Sequence, residues 1–294
     1  MNNSILNRFT GASFGSYIGE NLIFLCDRSR TQRDLLNWTK IGIDNSKIVS
    51  KEAKSARDYK LEPNWHSNFG SGEAAIMSLS ELLLCYDDFD LLTEEVGKMG
   101  QYSTQIREDI LIWGYALALA CQQKDPPREL IDKIITKIAK KITNSRQTLL
   151  LKIQKHLQQN SSLQTFIDEI SRQTESTLGA IALTIYCFAT VPEDFSLCLK
   201  RAVSLGYQSS ITGALTGAIA GAYNGISSIP ISWRQTQSYQ PDLEQINLHS
   251  RKLFAVWSGS YQNNLDRIDL SFTALAAANE LQDRPFFQTI SQKK

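Results

Sequence analysis

Three histidines, five cysteines and a few clustered acids and serines are what this sequence offers for chemistry. Asp87, Asp88 and Asp90, in CYDDFDLLTEEVGK, are close enough to suggest calcium. The stretch lacks the glycine and the bidentate glutamate of a calcium loop, so it reads as an acid-rich connection between helices. Ser209 and Ser210 need an adjacent base to act as nucleophiles, and no histidine lies near them in the chain. His66, in PNWHSNFGSGE, is the best-placed histidine; it reads as a loop hydrogen-bonding group, while His156 and His249 fall in polar surroundings. Ser71, Gly72 and Glu73 open an apolar run, where the unpaired N–H groups of a helix start can hold an anion such as phosphate. A plain N-cap at Ser71 is the simpler reading. Trp65, Phe69 and Trp233 are placed to flank a cleft but, like Tyr102, Trp113 and Tyr115, read first as packing.

The cysteines (Cys26, Cys85, Cys121, Cys187 and Cys198) are odd in number, lie in apolar helical-looking segments and form no CxxC or Cys/His cluster. Buried reduced thiols are therefore expected rather than zinc ligands. The stretch MNNSILNRFTGASFG lacks the basic-then-apolar design of a secretory signal, and a cytoplasmic location is expected.

The elements that must position these residues are helices. Helical periodicity covers 9–26, 71–86, 105–122, 127–142, 145–158, 163–171, 174–189, 193–204, 210–226 and 268–282, with almost no strand-like alternation. Start signals stand at Ser71, at Asp125-Pro126-Pro127 and at Pro192-Glu193-Asp194; stops stand at Gly206 and Gly225. The expected fold is all-α: a single compact domain over 1–294, with 1–8 and 284–294 as flexible ends.

Two glycine stripes organise that fold. Gly213, Gly217, Gly221 and Gly225 recur every four residues in GYQSSITGALTGAIAGAYNGISSIP, and Gly11, Gly15 and Gly19 do the same in FTGASFGSYIGE. Period four on a helix gives one face without side chains. Each interior glycine costs a helix about 1 kcal/mol relative to alanine, so such a stripe implies close approach of another backbone. The two stripes are expected to pack on each other at the centre of the molecule.

Composition excludes several functions. Lys plus Arg is 31 and Asp plus Glu is 30, so no global charge favours nucleic acid. The basic excess over 28–60 and the lysine-bearing helix 127–142 both read as solvated faces. The uncharged run 211–226, at 16 residues, falls short of a membrane span, and none is expected.

The glycine-rich stretch and its flanks resemble the ADP-ribosylglycohydrolase family. The region Glu175–Pro230 carries the strongest similarity, in ESTLGAIALTIYCFATVPEDFSLCLKRAVSLGYQSSITGALTGAIAGAYNGISSIP. FTGASFGSYIGEN is similar to the family's first helix, and FGSGEAAIMSLSELLL to the helix that the family opens with Thr-Asp-Asp-Thr. The resemblance implies the family's all-α fold. It also implies hydrolysis of a glycosidic bond to ADP-ribose, with two magnesium or manganese ions held by carboxylates.

The residues at the implied site depart from that pattern. The family's GGDTDT falls on Gly206, Tyr207, Gln208, Ser209, Ser210 and Ile211, so both aspartates and the ligating threonine are replaced. Thr-Asp-Asp-Thr falls on Gly70, Ser71, Gly72 and Glu73; shifting the alignment places Glu73 on one aspartate, never a pair. The first-helix aspartate is Glu20, and the acid about seven residues on is Asp27. The family's Asn-Gly…Met-Arg segment is absent, the corresponding region being DILIWGYALALACQ. Neutral oxygens do not offset two adjacent divalent ions. No metal or other cofactor is therefore expected, and the chain reads as a pseudoenzyme that binds, regulates or scaffolds.

Ser71, Gly72, Glu73, Gln208, Ser209 and Ser210 are the expected ligand-binding residues, for an ADP-ribose-like nucleotide or beside a protein partner. Two alternatives stand beside this. One is a divergent hydrolase with one magnesium or manganese ion or none, using Glu20 or Asp27 as base. The other is an assembly factor or subunit docking through 244–294.

Overall fold

The computed structural model describes residues 4–26, 72–84, 88–123, 126–173, 176–204, 206–207, 209–235 and 240–258, and its regular elements are all helical. In chain order they begin with α1 (Ile5–Cys26), α2 (Gly72–Leu83), α3 (Phe89–Gly97) and α4 (Thr104–Gln122). Then come α5 (Leu130–Ile138), α6 (Asn144–Gln158), α7 (Leu163–Gln173) and α8 (Ser176–Thr190). The last are α9 (Phe195–Ser204), α10 (Ser209–Asn224), the short α11 (Ile231–Arg234) and α12 (Gln240–Trp257). Short 3-10 turns at Pro127–Glu129 and Ala139–Lys141 flank α5, so the single helix expected over 127–142 is tightened at both ends. The helix expected over 268–282 lies outside the described residues.

The helix limits follow the punctuation in the sequence. Gly206 (φ 71°) and Gly225 (φ 72°) adopt the left-handed conformation that glycine reaches without strain, just past α9 and α10. The Asp194 carboxylate accepts from the Leu197 amide at 2.9 Å and caps α9. α1 takes in residues 5–8, half of the end expected to be flexible. Arg8 explains why: its guanidinium is buried and donates to the Cys121 carbonyl at 2.8 Å, among the unpaired carbonyls that end α4.

The glycine stripes meet as expected. α1 and α10 run antiparallel, with Gly11 against Gly221, Gly15 against Gly217 and Gly19 against Gly213. At each pairing a Cβ would fall on the opposite carbonyl oxygen, so backbone lies directly on backbone. That approach allows Cα–H···O contacts, each contributing about 0.5–1 kcal/mol, and brings the flanking side chains of both helices into packing range. Residues 211–222 are all buried, because α10 is enclosed by α1, α4, α8 and α9. α12 closes the other side of α1, where Phe9 packs edge-on to Phe254 and against Trp257, and the Tyr17 hydroxyl donates to Asp242 at 2.5 Å.

Buried polar groups are paired in ways the sequence did not announce. Thr184, Thr212 and Thr216 are fully enclosed between α8 and α10; the Thr216 hydroxyl donates to Thr184 at 3.2 Å. Arg146 on α6 forms two bonds to Asp109 on α4, at 3.1 and 3.3 Å, with Glu108 alongside at 3.6 Å. Glu108 in turn accepts from the amide and hydroxyl of Thr143 at the start of α6. His156 and His249, expected in polar surroundings, are both buried. His156 contacts Glu169 at 2.8 Å and lies edge-on to Phe166. The acid-rich connection expected around Asp88 is instead helix α3, capped by Asp88 itself. Trp113 is wholly buried, as expected of packing, and its indole N–H reaches Ser80 at 3.1 Å. The Ile131, Ile134 and Ile138 face of α5 is likewise turned into the core.

Cys121, Cys187 and Cys198 are buried thiols; Cys26 and Cys85 have side chains outside the described set. Burial pushes the Cys187 thiol up to about 12 and moves Cys198 in the same direction. Since the thiolate is the reactive species, alkylation of these two at pH 8 is expected to be at least tenfold slower in the native protein than in denaturant, as read by peptide mass spectrometry. Equal rates in both states would contradict their placement in the core.

Candidate ligand-binding site

Four helix ends meet where the resemblance places the site. Gly19 fixes the C-terminal half of α1 against Gly213, which sets the next residue, Glu20, beside the opening of α10; its side chain is buried. α2 begins with Gly72 and Glu73, both half-buried. Gly72 is pressed against α8, where a methyl added to it would lie 2.8 Å from the Thr177 hydroxyl. Tyr207 lies just ahead of α10, with its hydroxyl where a side chain on Gly179, in the first turn of α8, would begin. Its carbonyl is held by the Thr212 hydroxyl at 3.2 Å. Burial, and then the charge of Glu73, push the Tyr207 phenol above its ordinary pKa.

The first turn of α10 carries Ser209 and Ser210, half-buried, followed by Ile211, which is buried in the core. The Ser210 hydroxyl is shut off from solvent without a hydrogen-bond partner. Thus Glu20, Gly72, Glu73, Ser209 and Ser210 gather at one end of the α1–α10 pair. Asp27, Ser71 and Gln208, with His66, Trp65 and Phe69, lie outside the described residues. Trp233 is not at this end: it packs on Phe195 at the start of α9, with the Lys200 ammonium 5.9 Å from its ring.

What this arrangement can do is bounded by its donors. Among the described residues no three histidine, cysteine, aspartate or glutamate side chains come together to hold a metal ion. The described carboxylates at this end are Glu20 and Glu73. What remains is a set of helix N-terminal amides, two serine hydroxyls and a tyrosine ring, suited to holding an anion or an aromatic group. Sequence reasoning did not single out Thr177 or Gly179, and it named Tyr207 only as a position of the implied motif. The available signal was Tyr207 itself, an aromatic residue between the helix stop at Gly206 and the start of α10. Among the described residues, no helix is long and apolar enough to cross a membrane.

No curated protein matches the chain. A solved structure described as an "ADP-ribosylglycohydrolase-related protein complex" superimposes with a TM-score of 0.62 at 15% sequence identity, over 86% of this chain and 99% of that one. At that identity the likeness carries the fold alone. A sequence model of the family described as ADP-ribosylglycohydrolase matches residues 16–263, from the middle of α1 to beyond the end of α12. That span holds both glycine stripes' contacts at Gly19 and Gly213 and all four helix ends of the site, and the chain belongs to the ADP-ribosylglycohydrolase family.

Proposed function

We propose that this chain keeps the family scaffold without its hydrolytic chemistry, and acts by binding a protein partner or an ADP-ribose-like nucleotide in a regulatory or scaffolding role. The observation that carries this reading is the opening of α10. Where the resemblance places two aspartates and a ligating threonine, the chain has Gln208, Ser210 and Ile211. Ile211 is committed to the core and offers no oxygen, while the Ser210 hydroxyl is neutral and enclosed. Neutral oxygens coordinate, but they do not neutralise paired divalent ions.

The test is incubation of the purified protein with ADP-ribosylated protein and magnesium or manganese. Release of ADP-ribose is expected to stay at the level of a protein-free control. Release that chelation stops and added metal restores would overturn the reading. Metal-independent release abolished in Glu20→Gln would replace it with a divergent hydrolase in which Glu20 serves as base.

A further inference from the structure

α12 turns one face inward and a different one to solvent. Leu243, Ile246, Leu253, Phe254 and Trp257 are buried, with Phe254 and Trp257 against Phe9 of α1. The opposite ridge is exposed: Glu244, Gln245, Leu248 and Arg251, with Lys252 half-buried at its margin. Spacings of three and four residues set these side chains in one line along the helix. Leu248 is the ninth of the 18 residues and is 52% exposed. A single exposed leucine needs no partner. What singles this one out is the order of groups around it. Glu244 stands four residues before it and Lys252 four after; Gln245 stands three before and Arg251 three after. Arg251 is held in place by Asn247, whose side-chain oxygen accepts from the Arg251 Nε at 3.1 Å. The Glu244 and Lys252 side chains have no hydrogen bond or ion pair among the described residues.

We propose that this ridge is a contact between two copies of the chain, which pair through α12 antiparallel about a twofold axis at Leu248. In that arrangement a residue a given number of places before the axis meets the residue the same number of places after it. Glu244 of one copy then faces Lys252 of the other, Gln245 faces Arg251, and each pairing occurs twice. Leu248 meets its own equivalent at the centre, and the overlap runs along the whole helix. The same charges disfavour parallel pairing, which sets glutamate against glutamate and lysine against lysine. One helix from each copy is a small contact, so the dimer is reversible and weakens with salt. The inference is independent of what the Glu20 end of the α1–α10 pair binds.

Sedimentation of the full chain at low salt is expected to show the mean mass rising with concentration toward that of two chains. Glu244→Lys and Lys252→Glu each set like charges together and should weaken the dimer about tenfold, while the two combined restore it. A merely structural effect of either change would not be rescued by the other. Leu248→Cys is expected to join to its equivalent in the second copy under mild oxidation, in a yield that the unaltered chain does not reach. The proposal is overturned if the chain stays monomeric at the highest concentration reached, or if the single reversals leave association unchanged. A combined variant that associates no better than the single ones overturns it too, as does a dimer in which Leu248→Cys fails to link.

Discussion

Replacing Gly217 by valine is expected to unfold the protein or to lower its stability by more than about 3 kcal/mol, beyond the ordinary range for an overpacked core. The first methyl alone lands on the Gly15 carbonyl oxygen, and the Ser16 amide nitrogen is 3.2 Å away. These are backbone atoms of a helix, so no rotamer change relieves the overlap. Relief requires α1 and α10 to move apart along their whole contact, which opens a buried interface at the centre of the described helices. Gly217→Ala should show the same direction, although alanine gains about 1 kcal/mol over glycine in helix propensity. The opposing sizes decide the sign: the propensity gain is the smaller. Gly97→Ala is the control. A methyl there meets nothing within 4 Å, and a neutral or slightly stabilising result is expected. Thermal or denaturant unfolding compares the three directly; a Gly217→Ala protein as stable as Gly97→Ala would contradict the backbone-on-backbone contact.

Arg146→Ala is expected to cost about 3–5 kcal/mol, the usual penalty for removing one partner of a buried ion pair. Arg146 and Asp109 are each only 2% exposed, and Glu108 is 5% exposed, so the lost cation leaves two acidic side chains inside the protein. Glu108 keeps its bonds to Thr143, but Asp109 loses both of its bonds to the guanidinium. Replacing Arg146 and Asp109 together by methionine and leucine should be much milder, because no charge of that pair is then stranded. Urea unfolding of the single and double variants settles the comparison. If Arg146→Ala loses less than about 1 kcal/mol, the cluster is not the enclosed network described above.

The sequence made the central helix pair legible because a glycine stripe has no other economical explanation on a helix. Period four gave the faces, and the mutual fit of α1 and α10 followed. The caps at Asp194, Gly206 and Gly225 were legible for similarly local reasons. α3 was missed because its charges drew attention away from the stripe Phe89, Leu92 and Val96, and because Asp88 was read as part of a loop rather than as its cap. α12 was missed because its apolar positions, Leu243, Ile246, Leu253, Phe254 and Trp257, are diluted by polar neighbours and become a face only when laid on α1.

Long-range pairing was beyond local reading. Nothing near Glu108 and Asp109 announces Arg146, 37 residues from Asp109, as their partner. His156 could have been placed, since it continues the buried stripe of Leu149 and Ile153. At the site, the resemblance located Glu20, Glu73 and Ser210 at one end of the helix pair. The contact of Tyr207 with Gly179 joins residues of different elements, and Gly179 has no local signature of it.

The claim on which this account depends is that the end of the α1–α10 pair bearing Glu20 lacks the charge to retain two divalent ions. Isothermal titration of the purified full chain with manganese, in physiological salt after removal of bound metal, tests it most directly. The account predicts no pair of tight sites and at most one weak equivalent. Two equivalents bound tightly, and lost together when Glu20 is changed to glutamine, would contradict it.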